Sequence, residues 1–330
     1  FTLAHHLLND GHTVVGIDGL KIEPLPFELS GTDTLGNRVP FRPIKSFQEI
    51  EEDLHTRVNG GFGGVAEYGI TVRWNKNFLK LIRLVLERRL NFDLFGGVRF
   101  GGTLTIDQAF SMGFDHIALC MGAGSPTLIP MKNSLAPGVR QASDFLMALQ
   151  LTGAAKESSL ANLQLRMPVI VIGGGLTAID TATEAMAYYP LQVEKFAKQY
   201  HELVNAYGKE SIEASWGLQD HEIATEFLEH ANDFHEERRQ AREEGRAPNF
   251  SKLMKSWGGV TVAYRRSLIQ APSYTLNHEE VAKALEEGIS ILDQVTPEAV
   301  EIDDKGHCAG LVVRHNDKMT TLPARAILVA

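Results

Sequence analysis

Pro168-Val-Ile-Val-Ile-Gly-Gly-Gly-Leu-Thr-Ala-Ile-Asp-Thr-Ala-Thr-Glu-Ala-Met-Ala187 is an apolar, β-type run that breaks into three glycines and resumes with helical spacing. It predicts strand, tight turn and helix. The glycines fit the pattern G-x-G-x-x-A: Gly173 permits the turn, Gly175 lets backbone approach a diphosphate, and Ala178 lets the helix pack close to the strand. Phosphates then sit over the helix start formed by Gly173, Gly174, Gly175, Leu176 and Thr177. There the free N–H groups of the first turn and the positive dipole end favour an anion without a charged side chain. An ordinary glycine turn in an α/β domain has the same local pattern, so the downstream sequence has to decide.

Trp257-Gly-Gly-Val-Thr-Val-Ala-Tyr-Arg-Arg266 supplies a second strand over residues 260–264, and its end carries two arginines. The tip of the second strand in a dinucleotide fold faces the adenosine ribose, where an acid takes the 2′-hydroxyl of NAD and an arginine takes the 2′-phosphate of NADP. Arg265 and Arg266 therefore point to NADP(H), because a planar guanidinium donates two parallel charge-assisted hydrogen bonds to phosphate. Solvated surface arginines are the plain alternative.

The chain has 330 residues, enough for about two domains, and 44% of them are hydrophobic, ample for buried cores. A formal net charge of −9 argues against a nucleic-acid-binding surface, which needs clustered Lys and Arg. No run approaches the roughly 18 apolar residues of a membrane span. Cys120 and Cys308 stand far apart in no metal or Fe–S spacing, so no disulfide framework, zinc site or cluster ligand set is expected, and a reducing cytoplasm is the expected location.

At the N-terminus, Leu3, Leu7 and Leu8 recur at helical spacing before Gly11, and His12-Thr-Val-Val-Gly-Ile-Asp18 reads as a strand ending on an acid. This is the second strand of another dinucleotide unit whose first strand and glycine loop are missing, so the chain reads as a fragment. Asp18 is then a ribose ligand, although an acid after a strand is equally a common turn residue. Residues 20–58 look like surface connection, with Ser46-Phe-Gln-Glu49 as a capping box. Asn59-Gly-Gly-Phe-Gly-Gly-Val-Ala-Glu-Tyr-Gly-Ile70 follows, a glycine-rich loop interleaved with Val65, Tyr68 and Ile70, before an apolar-periodic helix over 77–90. Phe114-Asp-His-Ile-Ala-Leu-Cys-Met-Gly-Ala-Gly-Ser-Pro126 reads as a buried strand running into a third glycine turn.

In this order the motifs resemble the FAD- and NADPH-binding flavoproteins of the glutamate synthase small-subunit family, pyridine nucleotide-disulfide oxidoreductase-like relatives of adrenodoxin reductase. Gly11-His-Thr-Val-Val-Gly-Ile-Asp18 is similar to the family's second FAD-domain strand. Gly63, Gly64, Val65, Tyr68, Gly69 and Ile70 match its flavin-contacting G-G-x-x-x-Y-G-I loop, and Gly122 with Ala123 its T-G-A turn. Gly173-Gly-Gly-Leu-Thr-Ala-Ile-Asp180 resembles its G-G-G-x-x-A-x-D NADPH loop, which brings in Asp180, and Ala263-Tyr-Arg-Arg266 its 2′-phosphate site. Ala271-Pro-Ser273 and Ala284-Leu-Glu-Glu-Gly-Ile289 resemble the helix that follows. The sequence departs from the family in lacking the first FAD glycine loop, the last glycine motif over the flavin and the Cys-rich Fe–S segment. The resemblance thus implies truncation at both ends, with NADPH binding kept and FAD binding weakened.

The other departure is an insertion over 190–256, charged and helical in pattern, which reads as a helical hairpin for partner docking, a lid or self-association. Glu226 and His230 lie four apart with His221 and His235 nearby; a solvated helix face is the reading taken over a metal site. The expected architecture is α/β, two interleaved Rossmann-like dinucleotide-binding domains with this helical insertion. Residues 1–155 form a partial FAD domain with a return at 324–330, and 156–323 the NADP(H) domain. The resemblance implies a flavoprotein oxidoreductase that passes hydride from NADPH to FAD and electrons onward to an iron–sulfur domain or acceptor subunit. It needs no side-chain acid or nucleophile, since the cofactors carry the chemistry. A disulfide reductase would need a cysteine pair that is absent; a non-enzymatic NADP(H)-binding or assembly module is the alternative.

Overall fold

The computed structural model describes residues 1–53, 60, 62, 69–71, 75–122, 126 and 128–330. They fall into two compact units, Phe1–Gly124 and Ser125–Ala330.

In the first unit, helix α1 (Thr2–Asn9) stops before Gly11, whose φ of +89° only glycine adopts without strain. Strand β1 (Val14–Ile17) follows, then the short helix α2 (Phe27–Ser30) and a 3₁₀ turn Phe47–Glu49, at whose start the Glu49 carboxylate accepts the N–H of Ser46. Helix α3 (Phe78–Glu87) leads to strand β2 (Phe92–Phe95) and helix α4 (Ile106–Ser111). β1 and β2 pair in parallel from Val14 opposite Phe92 to Ile17 opposite Phe95. Helix α3 feeds two small cores: Leu84 packs with Leu25, Leu29 and Ile50, while Leu86 packs with Leu8 and Phe92.

The buried strand expected after Phe114 is not formed. Residues 115–122 are irregular and largely exposed, Leu119 at 59% and Met121 at 64%. Among the described residues no strand pairs with this run, and an apolar segment without a ladder partner has no reason to stay extended and buried.

The second unit begins with strand β3 (Val139–Gln141) and helix α5 (Ala142–Leu151), followed by strand β4 (Val169–Ile172) and helix α6 (Leu176–Tyr207). Helices α7 (Lys209–Glu213), α8 (Leu218–Glu243) and α9 (Phe250–Ser256) precede strand β5 (Val260–Ala263). Helix α10 (Pro272–Glu286), strand β6 (Ser290–Leu292), strands β7 (Thr296–Ile302), β8 (Cys308–His315) and β9 (Lys318–Pro323), and strand β10 (Ala326–Val329) complete it. Five strands make a parallel sheet in the order β3-β10-β4-β5-β6. β4 is buried at all four positions, as the apolar run before the glycines requires of a central parallel strand.

The chain crosses from β4 to β5 and β6 on one side, while β10 lies on the other side of β4. Residues 326–329, expected to return to the first domain, are thus the strand beside β4, and residues 139–151, grouped by sequence with the first domain, supply β3 and α5. The three-stranded antiparallel sheet β7-β8-β9 packs onto the parallel one through Val300, Leu311 and Val313 against Ile170, Ile172 and Ile327. Its hairpin turn is Asn316-Asp317, with φ of +47° and +60°, the two-residue geometry that matches strand twist.

The insertion differs most from expectation. The helix that opens on the glycines does not end near Tyr189; it continues for 32 residues straight through Pro190. Proline removes one helical hydrogen bond and costs about 3 kcal/mol inside a helix. Burial on both sides of it offsets that cost, because Tyr188, Tyr189, Gln192 and Val193 are all fully enclosed. Helix α8 packs back on α6 with Phe227 edge-on to both Tyr189 and Phe196. Its Glu226–His230 side is correspondingly not a solvated face. Glu226 pairs with Arg166, and the His230 ring stacks on Trp257 at 3.7 Å with its Nδ1 2.5 Å from the Tyr189 hydroxyl. His221 and His235 are exposed, and the described residues contain no cluster of three metal-ligating side chains.

Candidate nucleotide site

Parallel register brings the glycine turn and the two arginines to one edge of the sheet. Ile172 stands opposite Ala263, so Gly173 leaves β4 beside the point where Tyr264 leaves β5, and Gly173 donates its N–H to the Ala263 carbonyl at 3.1 Å. Ala330 follows β10 on the other side and donates to the Ile172 carbonyl at 2.8 Å. The carboxyl ends of β4 and β10, where the strand order reverses, are the position at which open α/β sheets bind ligands.

Within the turn the three glycines have different surroundings. A Cβ on Gly173 would lie 3.0 Å from the Cβ of Ala178 and 3.1 Å from that of Ala330, so the strand end and helix start touch here. A Cβ on Gly174 would overlap the Tyr264 ring, 2.1 Å from its Cε2. A Cβ on Gly175 would meet nothing within 4 Å among the described residues, so this side of the backbone faces open space. Gly175 is the N-cap of α6 and offers no side chain; Ala178 closes the first turn by donating to its carbonyl at 3.0 Å. The first N–H groups of any helix have no internal acceptor, so those of Leu176 and Thr177 are available to a ligand beside Gly175. Thr177 is exposed, Ala178 is completely buried, and Asp180 sits half-buried one turn along.

Arg265 and Arg266 are both exposed, and neither forms an ion pair among the described residues. Other guanidinium groups of this unit are paired, Arg166 and Arg325 with Glu222 and Glu226 and Arg238 with Glu194, while Arg140 and Arg242, like the β5 arginines, have no ion pair among the described residues. The free pair at the tip of β5 is what a phosphate-binding site presents. Two contacts of the loop were not read from sequence: the Tyr264 ring over Gly174, and Ser273, which donates its N–H to the Gly174 carbonyl at 3.0 Å from the first turn of α10. A bulky aromatic one residue beyond a strand whose neighbour ends in glycines was the available signal.

In the first unit, Asp18 stands at the end of β1 and its Oδ1 accepts the Leu20 N–H at 2.7 Å, so one carboxylate oxygen serves the turn. Gly69 and Ile70 are buried, and the Lys76 ammonium donates to the Gly69 carbonyl. Gly122 is exposed with φ +75°. Gly63, Gly64, Val65, Tyr68 and Ala123 lie outside the described residues. Cys120 is exposed in the first unit; Cys308 is buried in the second, donates to the Ala324 carbonyl at 3.2 Å, and has its thiol pushed up to about 11 by burial.

No family model matches the chain. An uncharacterized protein of Rickettsia prowazekii (strain Madrid E), RP006, is 44% identical over 307 residues, which are 93% of this chain and 39% of that protein. The chain thus spans about two-fifths of this relative's length. Solved structures to which the chain is similar include reductases. A 2-naphthoyl-CoA reductase complex aligns over 99% of this chain and 30% of its own, at 14% identity and TM-score 0.46. The ferredoxin reductase of the CYP199A2 system of Rhodopseudomonas palustris aligns over 62% and 31%, at 13% identity and TM-score 0.31. An FAD-dependent pyridine nucleotide-disulphide oxidoreductase of Desulfovibrio vulgaris aligns over 62% and 32%, at 10% identity and TM-score 0.29. At these TM-scores the functional reading rests on the residues themselves. No helix among the described residues is long and apolar enough to cross a membrane.

Proposed function

We propose that the chain is the nucleotide-binding region of a flavoprotein oxidoreductase of the glutamate synthase small-subunit kind, with NADPH as hydride donor, FAD as first acceptor and an iron–sulfur domain or acceptor subunit beyond. The observation that carries this reading is the pairing of an open glycine turn at a helix N-terminus with two unpaired arginines at the next strand end. The turn fits a diphosphate because Gly175 leaves room for it and the N–H groups of Gly175, Leu176 and Thr177 face an anion without a competing side chain. Arg265 and Arg266 fit a 2′-phosphate because their charge has no carboxylate to neutralise it among the described residues.

On the flavin side, the proposal rests on Asp18 after β1 and on the loop around Gly63–Ile70, with Gly69 and Ile70 buried. Nicotinamide and flavin, when bound, supply hydride transfer between them; the chain supplies phosphate binding, orientation and the exclusion of competing charge. Full-length protein carrying a flavin whose visible absorbance bleaches on anaerobic addition of NADPH supports the proposal. Full-length protein that binds NADPH and holds no flavin is instead a non-enzymatic NADP(H)-binding module.

A further inference from the structure

We infer that Tyr264 is a positioning residue for nicotinamide nucleotides, acting by fixing the peptide between Gly174 and Gly175; the inference rests on the nucleotide-binding reading above. The Tyr264 ring lies flat over Gly174, since a Cβ there would fall 2.1, 2.4 and 2.6 Å from three consecutive ring carbons. The backbone that carries the ring is held at both its polar groups, because Tyr264 donates its N–H to Leu292 at 2.9 Å and its carbonyl accepts from Val295 at 3.0 Å. On the other side, the Gly174 carbonyl accepts the Ser273 N–H at 3.0 Å.

That carbonyl and the N–H of Gly175 belong to one planar trans peptide, so they point in opposite directions. With the carbonyl tied to Ser273, the Gly175 N–H is aimed away from α10, on the residue where an added Cβ would meet nothing within 4 Å among the described residues. Two adjacent glycines are the sequence most able to rotate such a peptide, and the ring and the Ser273 bond remove that freedom. Tyr264 therefore acts on the diphosphate, which NADPH and NADH share, whereas Arg265 and Arg266 act on the 2′-phosphate, which only NADPH has.

The test measures dissociation constants of NADPH, NADH and adenosine 2′-monophosphate for the full-length protein and for Tyr264→Phe, Tyr264→Ala, Tyr264→Leu, Gly174→Ala and the double variant Gly174→Ala with Tyr264→Ala. Tyr264→Phe, which keeps the ring, is expected to bind like wild type. Tyr264→Ala and Tyr264→Leu are expected to weaken NADPH and NADH by the same factor, about tenfold, and to leave adenosine 2′-monophosphate unchanged. Tyr264→Leu keeps the volume, so it separates loss of the flat ring from collapse of the strand end. Gly174→Ala is expected to weaken both dinucleotides, and adding Tyr264→Ala to relieve part of that loss by removing the overlap. Loss confined to NADPH, or Tyr264 variants that bind both dinucleotides like wild type without relieving Gly174→Ala, would overturn the inference while leaving the nucleotide site standing. Wild-type protein that binds neither dinucleotide overturns both.

Discussion

Gly174 and Gly175 are neighbours, yet a methyl group on each meets opposite surroundings, the Tyr264 ring in one case and open space in the other. Gly175 has φ −89°, which alanine adopts freely, so Gly175→Ala is expected to keep the wild-type melting temperature. Its methyl would stand where a phosphate has to approach, so the NADPH dissociation constant is expected to rise about tenfold or more. Unchanged binding would mean the ligand does not use this backbone. His230 offers a second residue-scale check. Burial, opposed by the charges of Glu226, Asp233 and Glu229 and aided by Arg166, holds its imidazole below the ordinary 6.5. The neutral ring is favoured in the fold, so the stability it contributes is complete above 6.5 and is lost as pH falls through the depressed value. Trp257, stacked on that ring, is expected to change its emission over the same acid range, and His230→Phe to abolish the change. The fingerprint glycines were legible in sequence because their requirement is local. The Tyr264–Gly174 contact was not, because it joins residues 90 positions apart through strand register.

Helix α6 and helix α8 form one packed element, and the course of α6 through Pro190 depends on that packing. Proline is a sound helix terminator by local energetics, but it is overruled here by tertiary burial of Tyr188, Tyr189, Gln192 and Val193. Replacing residues 190–256 by a short Gly-Ser bridge is accordingly expected to yield insoluble or unfolded protein, since it strips the cover from both tyrosines. Tyr189→Ala alone is expected to destabilise by about 3–5 kcal/mol in urea unfolding. A soluble deletion variant with unchanged NADPH affinity would show that the helical pair is dispensable after all. Glu222 ties α8 to the sheet: hydrogen bonds from Lys305, Arg166 and Arg325 hold its carboxyl down at about 2, against an ordinary 4.5. Its stabilisation is present above pH 4.5 and lost as pH falls toward 2, and Glu222→Ala is expected to remove that acid-dependent part. With the side chain 38% exposed, solvent screening limits the effect to about 1 kcal/mol. A variant with an undiminished acid dependence would place it elsewhere.

At the scale of the molecule, the strand of the parallel sheet that runs into the glycine turn was readable because a buried parallel strand is a continuous apolar run. The antiparallel layer β7-β8-β9 went unread even though Asn316-Asp317 marks its hairpin, since its alternating strands carry no motif. The run after Phe114 looked like a strand by composition, but pairing is a non-local property and composition does not supply a partner. The proposal of a nicotinamide-nucleotide site in the second unit rests on the junction of the glycine turn with Arg265 and Arg266. The most direct measurement is therefore the dissociation constants of NADPH and NADH for full-length protein with and without Arg265→Ala and Arg266→Ala. Losing the charge-assisted bonds to the 2′-phosphate is expected to weaken NADPH by about 2–4 kcal/mol, roughly 30- to 1000-fold, with NADH nearly unchanged. Equal loss for both nucleotides, or none for NADPH, contradicts the assignment of these arginines to a 2′-phosphate.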